Sequence, residues 1–417
     1  MYVNQTKKIL LESFRLAVEA ALPDKIFSRY LPVDNSHPAI VIGAGKAAAS
    51  MAASFEKSWD GPVSGMVVTP YGHKKNCNYI NVVEAAHPTP DHVSGTFAKD
   101  LLNLTKNLTE NDSVYVLLSG GGSSLLSLPA SSIEFDDKKS INDALLKSGA
   151  SIDEINTVRK HLSQIKGGRL AAHCYPANIH AYIISDVMGD DPTNVASGPT
   201  VADLTTSADA TTILEKYKID VPNSIVNWLN NPLSESVKPN DPMLAKSKYT
   251  IIAVAKDALA KAQNYSENLD INCINLGELG GDARKLGKAH GDFVLNMQPN
   301  KPTLILSGGE TTVHVKGDGK GGRNTEYLLS LALTLNGAKN VYAIAADTDG
   351  IDGSEDNAGA YIDSTTLKRA ASQNMDFLEM LDNNDSYTAF HNLDDLIRTG
   401  PTRTNVNDYR AILILPE

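Results

Sequence analysis

The stretch AIVIGAGKAA (39–48) runs an apolar, β-branched segment straight into two glycines and then into helix-favouring alanines. Such a run reads as a buried strand that ends in a tight turn before a helix, and Gly43 and Gly45 set out the pattern G-x-G-x-x-A. Backbone at these glycines can approach a ligand, and the start of the next helix offers N–H groups and a positive dipole end to an anion. The pattern by itself is weak, since a plain βα turn with a solvated lysine explains it as well. Lys46 shifts that balance. A lysine in the first helical turn works against the dipole, so its placement suggests an anionic partner.

Outward from this turn, the same texture repeats. VSGMVVTP (63–70), SVYVLLSGGG (113–122), IHAYIISD (179–186), YTIIAVA (249–255), PTLILSGGE (302–310), VYAIAADTDG (341–350) and YRAILILP (409–416) all read as strands ending in turns. Helical segments lie between them at 140–149, 156–171, 257–268 and 323–336, so the fold class is α/β with a mostly parallel sheet. The segment 229–248 holds three prolines and no sustained period, and reads as a linker. Residues 1–235 and 236–417 are the expected domains. The first helix is amphipathic, with Leu10, Leu11, Phe14, Ala17, Val18, Ala21 and Leu22 on one face and Glu12, Arg15 and Glu19 between them. No apolar stretch is long enough to span a bilayer.

The chain of 417 residues carries a formal net charge of −11, which disfavours nucleic acid and anionic membrane surfaces as partners. Three well-separated cysteines, Cys77, Cys174 and Cys273, make neither a disulfide framework nor a metal cluster, and a reducing, cytoplasmic setting is expected.

The remaining chemistry gathers at strand ends. In LLSGGGSSLL (117–126), Gly120, Gly121 and Gly122 form a turn with no side chains to block a phosphate, and Ser119, Ser123 and Ser124 add hydroxyls. INTVRKHLSQIKGGRLA (155–171) concentrates Arg159, Lys160, Lys166 and Arg169 on one helix, either as a solvated face or as an anion contact. Asp186 ends a strand, with Asp190 and Asp191 close behind, as candidates for a cation site or a general base. Arg323 and Asn324 open a helix after Gly321 and Gly322, where an arginine can clamp a carboxylate or phosphate. Asp347 and Asp349 head an acidic loop that suits Mg²⁺ better than Ca²⁺. No zinc spacing and no nucleophile elbow is present.

Taken together, VIGAGKA, HPTPD (87–91), LLSGGGSSLL, INTVRKHLSQIKGGRLA, SDVMGDDPTNVASGPT, LSGGETTV, GKGGRNTE, AADTDGIDG and GPTRTNVND (400–408) resemble the class II glycerate 2-kinases, the MOFRL family. The likeness runs from about residue 5 to the C-terminus. It departs at Arg403, where relatives often have glycine. The resemblance implies a Rossmann-like α/β/α N-terminal domain and a smaller α/β C-terminal domain, with the active site in the cleft between. It implies a kinase that uses ATP and Mg²⁺ to phosphorylate D-glycerate at its 2-hydroxyl, with Lys46 and Arg323 catalytic, and leaves a homodimer open. On this reading Lys46 stabilises the transferring phosphoryl group, Arg323 clamps the substrate carboxylate or γ-phosphate, and Ser119 to Ser124 cradle the nucleotide. Asp186 or Asp190 takes the hydroxyl proton or holds the metal; Glu310 and Asp349 are further metal or ribose candidates. Loss of Lys46 or Arg323 is expected to cost the fold within about half a kcal/mol. The alternative is an NAD(P)-dependent hydroxypyruvate or hydroxy-acid reductase, which the missing acid after VVTPYGH (67–73) argues against.

Overall fold

A computed structural model describes residues 2–416. The chain divides into two compact units. One comprises Pro23–Ile252; the other joins the residues up to Leu22 to those from Ala253 onward.

The Pro23–Ile252 unit holds one six-stranded sheet. Its strands are β1 (Ala39–Ala44), β2 (Val63–Pro70), β3 (Ile80–Ala85), β4 (Ser113–Leu118), β5 (Asn178–Ile184) and β6 (Ser247–Ala253). Their order is β3-β2-β1-β4-β5-β6, and the pairs from β3 through β5 are all parallel. Helices cover such sheets on both faces, so the strands are apolar along their whole length, and Val41, Ile42, Val116 and Leu117 are fully buried. The strand order reverses between β1 and β4. In open α/β sheets, ligands bind beyond the strand ends at that reversal. Both glycine turns predicted from the sequence, at 43–48 and 119–124, sit there.

The second unit is built on β7 (Asn272–Glu278), β9 (Thr303–Gly308), β11 (Val341–Asp347), β12 (Gly359–Ile362), β13 (Leu396–Ile397) and β14 (Asp408–Ile414), in the order β13-β12-β11-β14-β9-β7. Two short strands, β8 (Gly281–Asp282) and β10 (Thr311–Thr312), pair separately. Here the expectation of a mostly parallel sheet fails. Four of the five pairings in the large sheet are antiparallel, because β14 runs opposite to β11 and β9, and β12 runs opposite to β11 and β13. The amphipathic first helix (Tyr2–Glu19) belongs to this unit. Leu10, Phe14 and Ala17 are buried, Tyr409 donates to Ser13 Oγ at 2.9 Å, and Thr404 Oγ1 donates to the Ala21 carbonyl at 2.6 Å.

The contact division therefore differs from the boundary expected at 235/236. The linker segment is docked: Val237 N–H donates to Gly167 O, and Arg169 reaches the Ser234 carbonyl at 2.7 Å. The expected helix 156–171 is two helices, Ile152–His161 and Arg169–Cys174, with Gly167 and Gly168 at positive φ between them. Among the described residues no helix is long and apolar enough to cross a membrane.

One glycine sets the spacing of the first sheet. A Cβ on Gly43 would lie 2.3 Å from the Leu117 carbonyl oxygen of β4. Gly43→Ala should therefore lower unfolding stability by about 1–3 kcal/mol, as overpacking does, seen as a shift in the urea midpoint. Ala at Gly72, where the same atom meets open space, should cost only the strain of its positive φ, about 1 kcal/mol.

Candidate functional site

In the first unit, β1 and β4 deliver their turns side by side. Gly45 has φ 139, and a Cβ there would strike Ser119 Oγ at 2.1 Å. Gly43 and Gly45 are thus glycines because neighbouring chain fills their space, not because a ligand does. The N–H groups after β1 are also committed. Gly45 donates to Val68 O, Lys46 to Gly120 O, and Ala47 to Ser119 Oγ at 3.0 Å. The expected anion cradle at the start of helix Ala48–Ser58 is therefore closed off by the protein's own acceptors.

The β4 turn differs. Its serine hydroxyls hold the loops together: Ser119 Oγ accepts from Ala47, Ser123 Oγ meets Ser197 Oγ at 2.7 Å, and Ser124 Oγ donates to Gly121 O at 3.0 Å. Among the described residues, however, the N–H groups of Gly120 and Gly121 have no hydrogen-bond partner. Gly121 has φ 80, and a Cβ placed on it would lie 2.9 Å from the His87 ring and 3.5 Å from Lys46 Cγ. Two donors, a lysine and a histidine thus converge on one glycine. His87 stands in the HPTPD motif, but sequence spacing offered no sign that it would border the same glycine as Lys46. Gly122 packs against Ala196, which with Ser197 and Gly198 forms three successive residues at positive φ in the loop after β5. That loop also carries Asp186 and Asp190. Asp190, at φ 56, makes a turn whose N–H bonds to Val187 O.

In the second unit the centre is Arg323, first residue of helix Arg323–Leu335. The antiparallel register sets Asp347, last in β11, opposite Asp408, first in β14. Arg323 spans the pair: Nε donates to Asp408 Oδ1 and Nη2 to Asp347 Oδ2, both at 2.7 Å, and Nη1 bonds Glu310 beyond β9. Asp408 also accepts from Asn324 Nδ2 at 2.8 Å and from Arg410 Nη2 at 2.9 Å. Burial opposes its charge, but Arg323 and Arg410 outweigh burial and hold the carboxyl below the usual aspartate value. Burial likewise opposes the charge on Arg323, and Asp408, Asp347 and Glu310 more than offset it. The helix start is capped from a distance. Asp352 is buried and accepts from the Asn324 and Thr325 N–H groups, both at 2.9 Å.

This corrects the picture of an arginine open to a ligand and exposed enough to be removed cheaply. Its side chain is 22% exposed and bonded to three carboxylates. Asn324, expected at the nucleotide, is fully buried and spends its amide N–H groups on Asp352 and Asp408. Asp347 Oδ1 accepts from Asp349 N at 3.0 Å, and Asp349 Oδ1 from Ile351 N at 2.8 Å, so the acidic loop is a tight turn. Among the described residues no group of three or more His, Cys, Asp or Glu is gathered for a metal ion. Mg²⁺ delivered with phosphates needs only one or two carboxylates. Arg403 has φ 64, a conformation that favours glycine, which explains why a glycine is at home in that loop.

Comparison with known proteins adds to this geometry. The profile of a domain of unknown function, DUF4147, matches residues 9–230, and that of the MOFRL family matches residues 303–408. An Agrobacterium vitis protein provisionally named a hydroxypyruvate reductase is 44% identical, over 98% of this chain and 94% of its own length. The D-glycerate 2-kinase of Thermotoga maritima is 40% identical, over 98% of each chain. A crystal structure of glycerate kinase from Thermotoga maritima superposes with a TM-score of 0.87 at 39% identity, covering 99% of this chain and 100% of that one.

Arg323→Ala leaves its carboxylates facing one another, and should destabilise the second unit by about 3 kcal/mol at pH 7 in urea unfolding. The pH dependence follows from Asp408. A carboxyl with a lowered folded pKa contributes stability that is complete above its unfolded value, about 3.9, and is lost as pH falls through the folded value. Without Arg323 that folded value rises, so acid unfolding followed by circular dichroism should begin at a higher pH than in the parent.

Proposed function

This chain belongs to the class II glycerate kinases of the MOFRL family, and on that footing we propose that it transfers the γ-phosphoryl group of ATP to the 2-hydroxyl of D-glycerate, giving 2-phospho-D-glycerate. The observation that carries this reading is the likeness to the Thermotoga maritima D-glycerate 2-kinase over 98% of the chain. The Gly120–Gly121 turn at the strand-order reversal of a parallel sheet supports it, since nucleotides bind at such a point.

ATP, when bound, supplies the phosphoryl group, and Mg²⁺ neutralises phosphate charge. Phosphoryl transfer asks a protein mainly for positioning and charge stabilisation. The Gly120 and Gly121 N–H groups are the donors suited to a phosphate, and Lys46 beside them is suited to the charge that develops on the transferring group. Asp186 is the proposed acceptor of the substrate hydroxyl proton. The proposed metal contacts are Asp347 and Asp349 in the second unit and, as a separate candidate, Asp190 in the first. Arg323 keeps Asp347 and Asp408 in register through Nε and Nη2. Its Nη1 is held by Glu310, which is 50% exposed, and a substrate carboxylate is proposed to take the place of that side chain.

The reductase reading keeps one support, the provisional name of the Agrobacterium vitis relative. Against it, β2 ends in Thr69 and Pro70, where a dinucleotide fold places an acid for the ribose.

Incubation with ATP, Mg²⁺ and D-glycerate should release ADP and yield a product that enolase accepts without a mutase. No ADP release with glycerate, or NADH oxidation with hydroxypyruvate, would overturn the assignment. Lys46→Ala should cut turnover at saturating substrates about a hundredfold or more. Near-normal turnover would make the β1 turn purely structural.

Glu310→Ala separates two roles. If Glu310 occupies the place of the substrate carboxylate, KM for glycerate should fall severalfold. A rise in KM for ATP with Mg²⁺ would instead make it a nucleotide or metal contact.

A further inference from the structure

Behind the β4 turn, the first unit encloses cations that the reaction described above does not use. The basic run at 155–171 separates in the structure. Lys160 is paired with Asp203 at 3.0 Å, and Arg169 bonds a carbonyl. Arg159 and Lys166 instead meet Lys138, from the helix Phe135–Ser148, around a small cavity that Ser123 and Ser124 also line. Lys138 is 7% and Lys166 1% exposed.

Their partners are all neutral. Lys138 Nζ donates to Leu128 O at 3.3 Å. Lys166 Nζ donates to Ser123 O at 2.8 Å and to Ala196 O at 3.4 Å. Arg159 bonds Asn142 Oδ1 at 2.7 Å and Asn156 Oδ1 at 3.3 Å. Among the described residues none of the three forms an ion pair. Burial first, and Arg159 second, push the Lys138 ammonium down to about 7. Burial, then Lys138 and Arg159, push Lys166 well below its ordinary value. Every charge acting on these two lysines is another cation.

Burial and mutual repulsion disfavour the charged form of these groups, and an anion among them would reverse both effects. Each ammonium also has donors beyond those its carbonyls use, since lysine has three. We propose that Lys138, Arg159 and Lys166 form a binding site for a small oxyanion, a phosphoryl or carboxylate group, reached past Ser123 and Ser124. The cavity is about 30 Å³, room for roughly two waters, so it takes the charged end of a ligand and no base or sugar. A bound oxyanion would sit against the carbonyl anchor that Lys166 makes on Ser123, and so against the strained Ala196–Ser197 loop. The site stands on geometry independent of the kinase reading, and a catalytically inactive chain tests it equally well.

Equilibrium dialysis of the full chain without nucleotide is the test, in one arm with labelled inorganic phosphate and in the other with labelled D-glycerate. With every sample carrying Lys46→Ala, so that the β4-turn site is weakened alike throughout, Lys138→Met and Arg159→Gln should each weaken the remaining binding tenfold or more in one arm. Loss in the phosphate arm identifies a phosphoryl ligand; loss in the glycerate arm identifies a carboxylate. Unchanged binding in both arms, in both variants, overturns the site. Should either variant fail to fold, wild-type crystals soaked in selenate decide the matter. An anomalous peak among Lys138, Arg159 and Lys166 supports the site, and a featureless pocket overturns it.

Discussion

The guanidinium of Arg323 is the constraint on which the second unit depends. The antiparallel register of β11 and β14 brings Asp347 and Asp408 opposite each other, and two facing carboxylates repel unless a cation lies between them. Arg323 supplies it, with Arg410 on the far side of Asp408. A planar fork with a fixed donor geometry suits this place in a way that a lysine point charge does not. Asp352 then holds the first N–H groups of the Arg323 helix, so the helix start and both strands are tied at one point. Any catalytic duty of Arg323 rests on this frame, because the same side chain that would meet a substrate also holds the carboxylates around it.

The first unit solves a different problem. Its glycines bring backbone close to backbone, with Gly43 against β4 and Gly45 against Ser119. Its serines spend their hydroxyls on neighbouring loops. Among the described residues the Gly120–Gly121 edge of the turn keeps donors available, and Lys46 and His87 both border Gly121 there. Glycine-rich turns at strand ends therefore divide into those that let the protein approach itself and those that let it approach a ligand. The spacing of glycines does not distinguish them; the neighbouring strand does.

Charge is divided with similar economy. The basic run at 155–171 contains one lysine neutralised by Asp203, one arginine on a carbonyl, and two cations turned inward to meet Lys138. A charge run on a helix normally covers a solvated face. Here the helix ends at His161, and Lys166, in the stretch before the next helix, bonds the Ser123 carbonyl of the β4 loop.

Much of this was legible in the chain. Eight strands stood out as apolar β-branched runs, because a sheet buried on both faces makes its strands apolar throughout. The amphipathic first helix, the α/β class and the family likeness were equally readable, and so were the residues that gather at strand ends. Less readable were β3, β7, β12 and β13, which are short or carry polar residues at edge positions. Sequence alone could not show that the C-terminal sheet is mostly antiparallel, that the first helix packs with the residues from Ala253 onward, or that the segment 229–248 is docked. Nor could it show that Arg323 is bound by three carboxylates, or that Lys138 belongs with Lys166. Local composition determines which segments become strands and helices, because burial and backbone preference act within a few residues. Strand direction, register and the pairing of distant charges are set by contacts between residues far apart in the chain, and only the folded structure decides those.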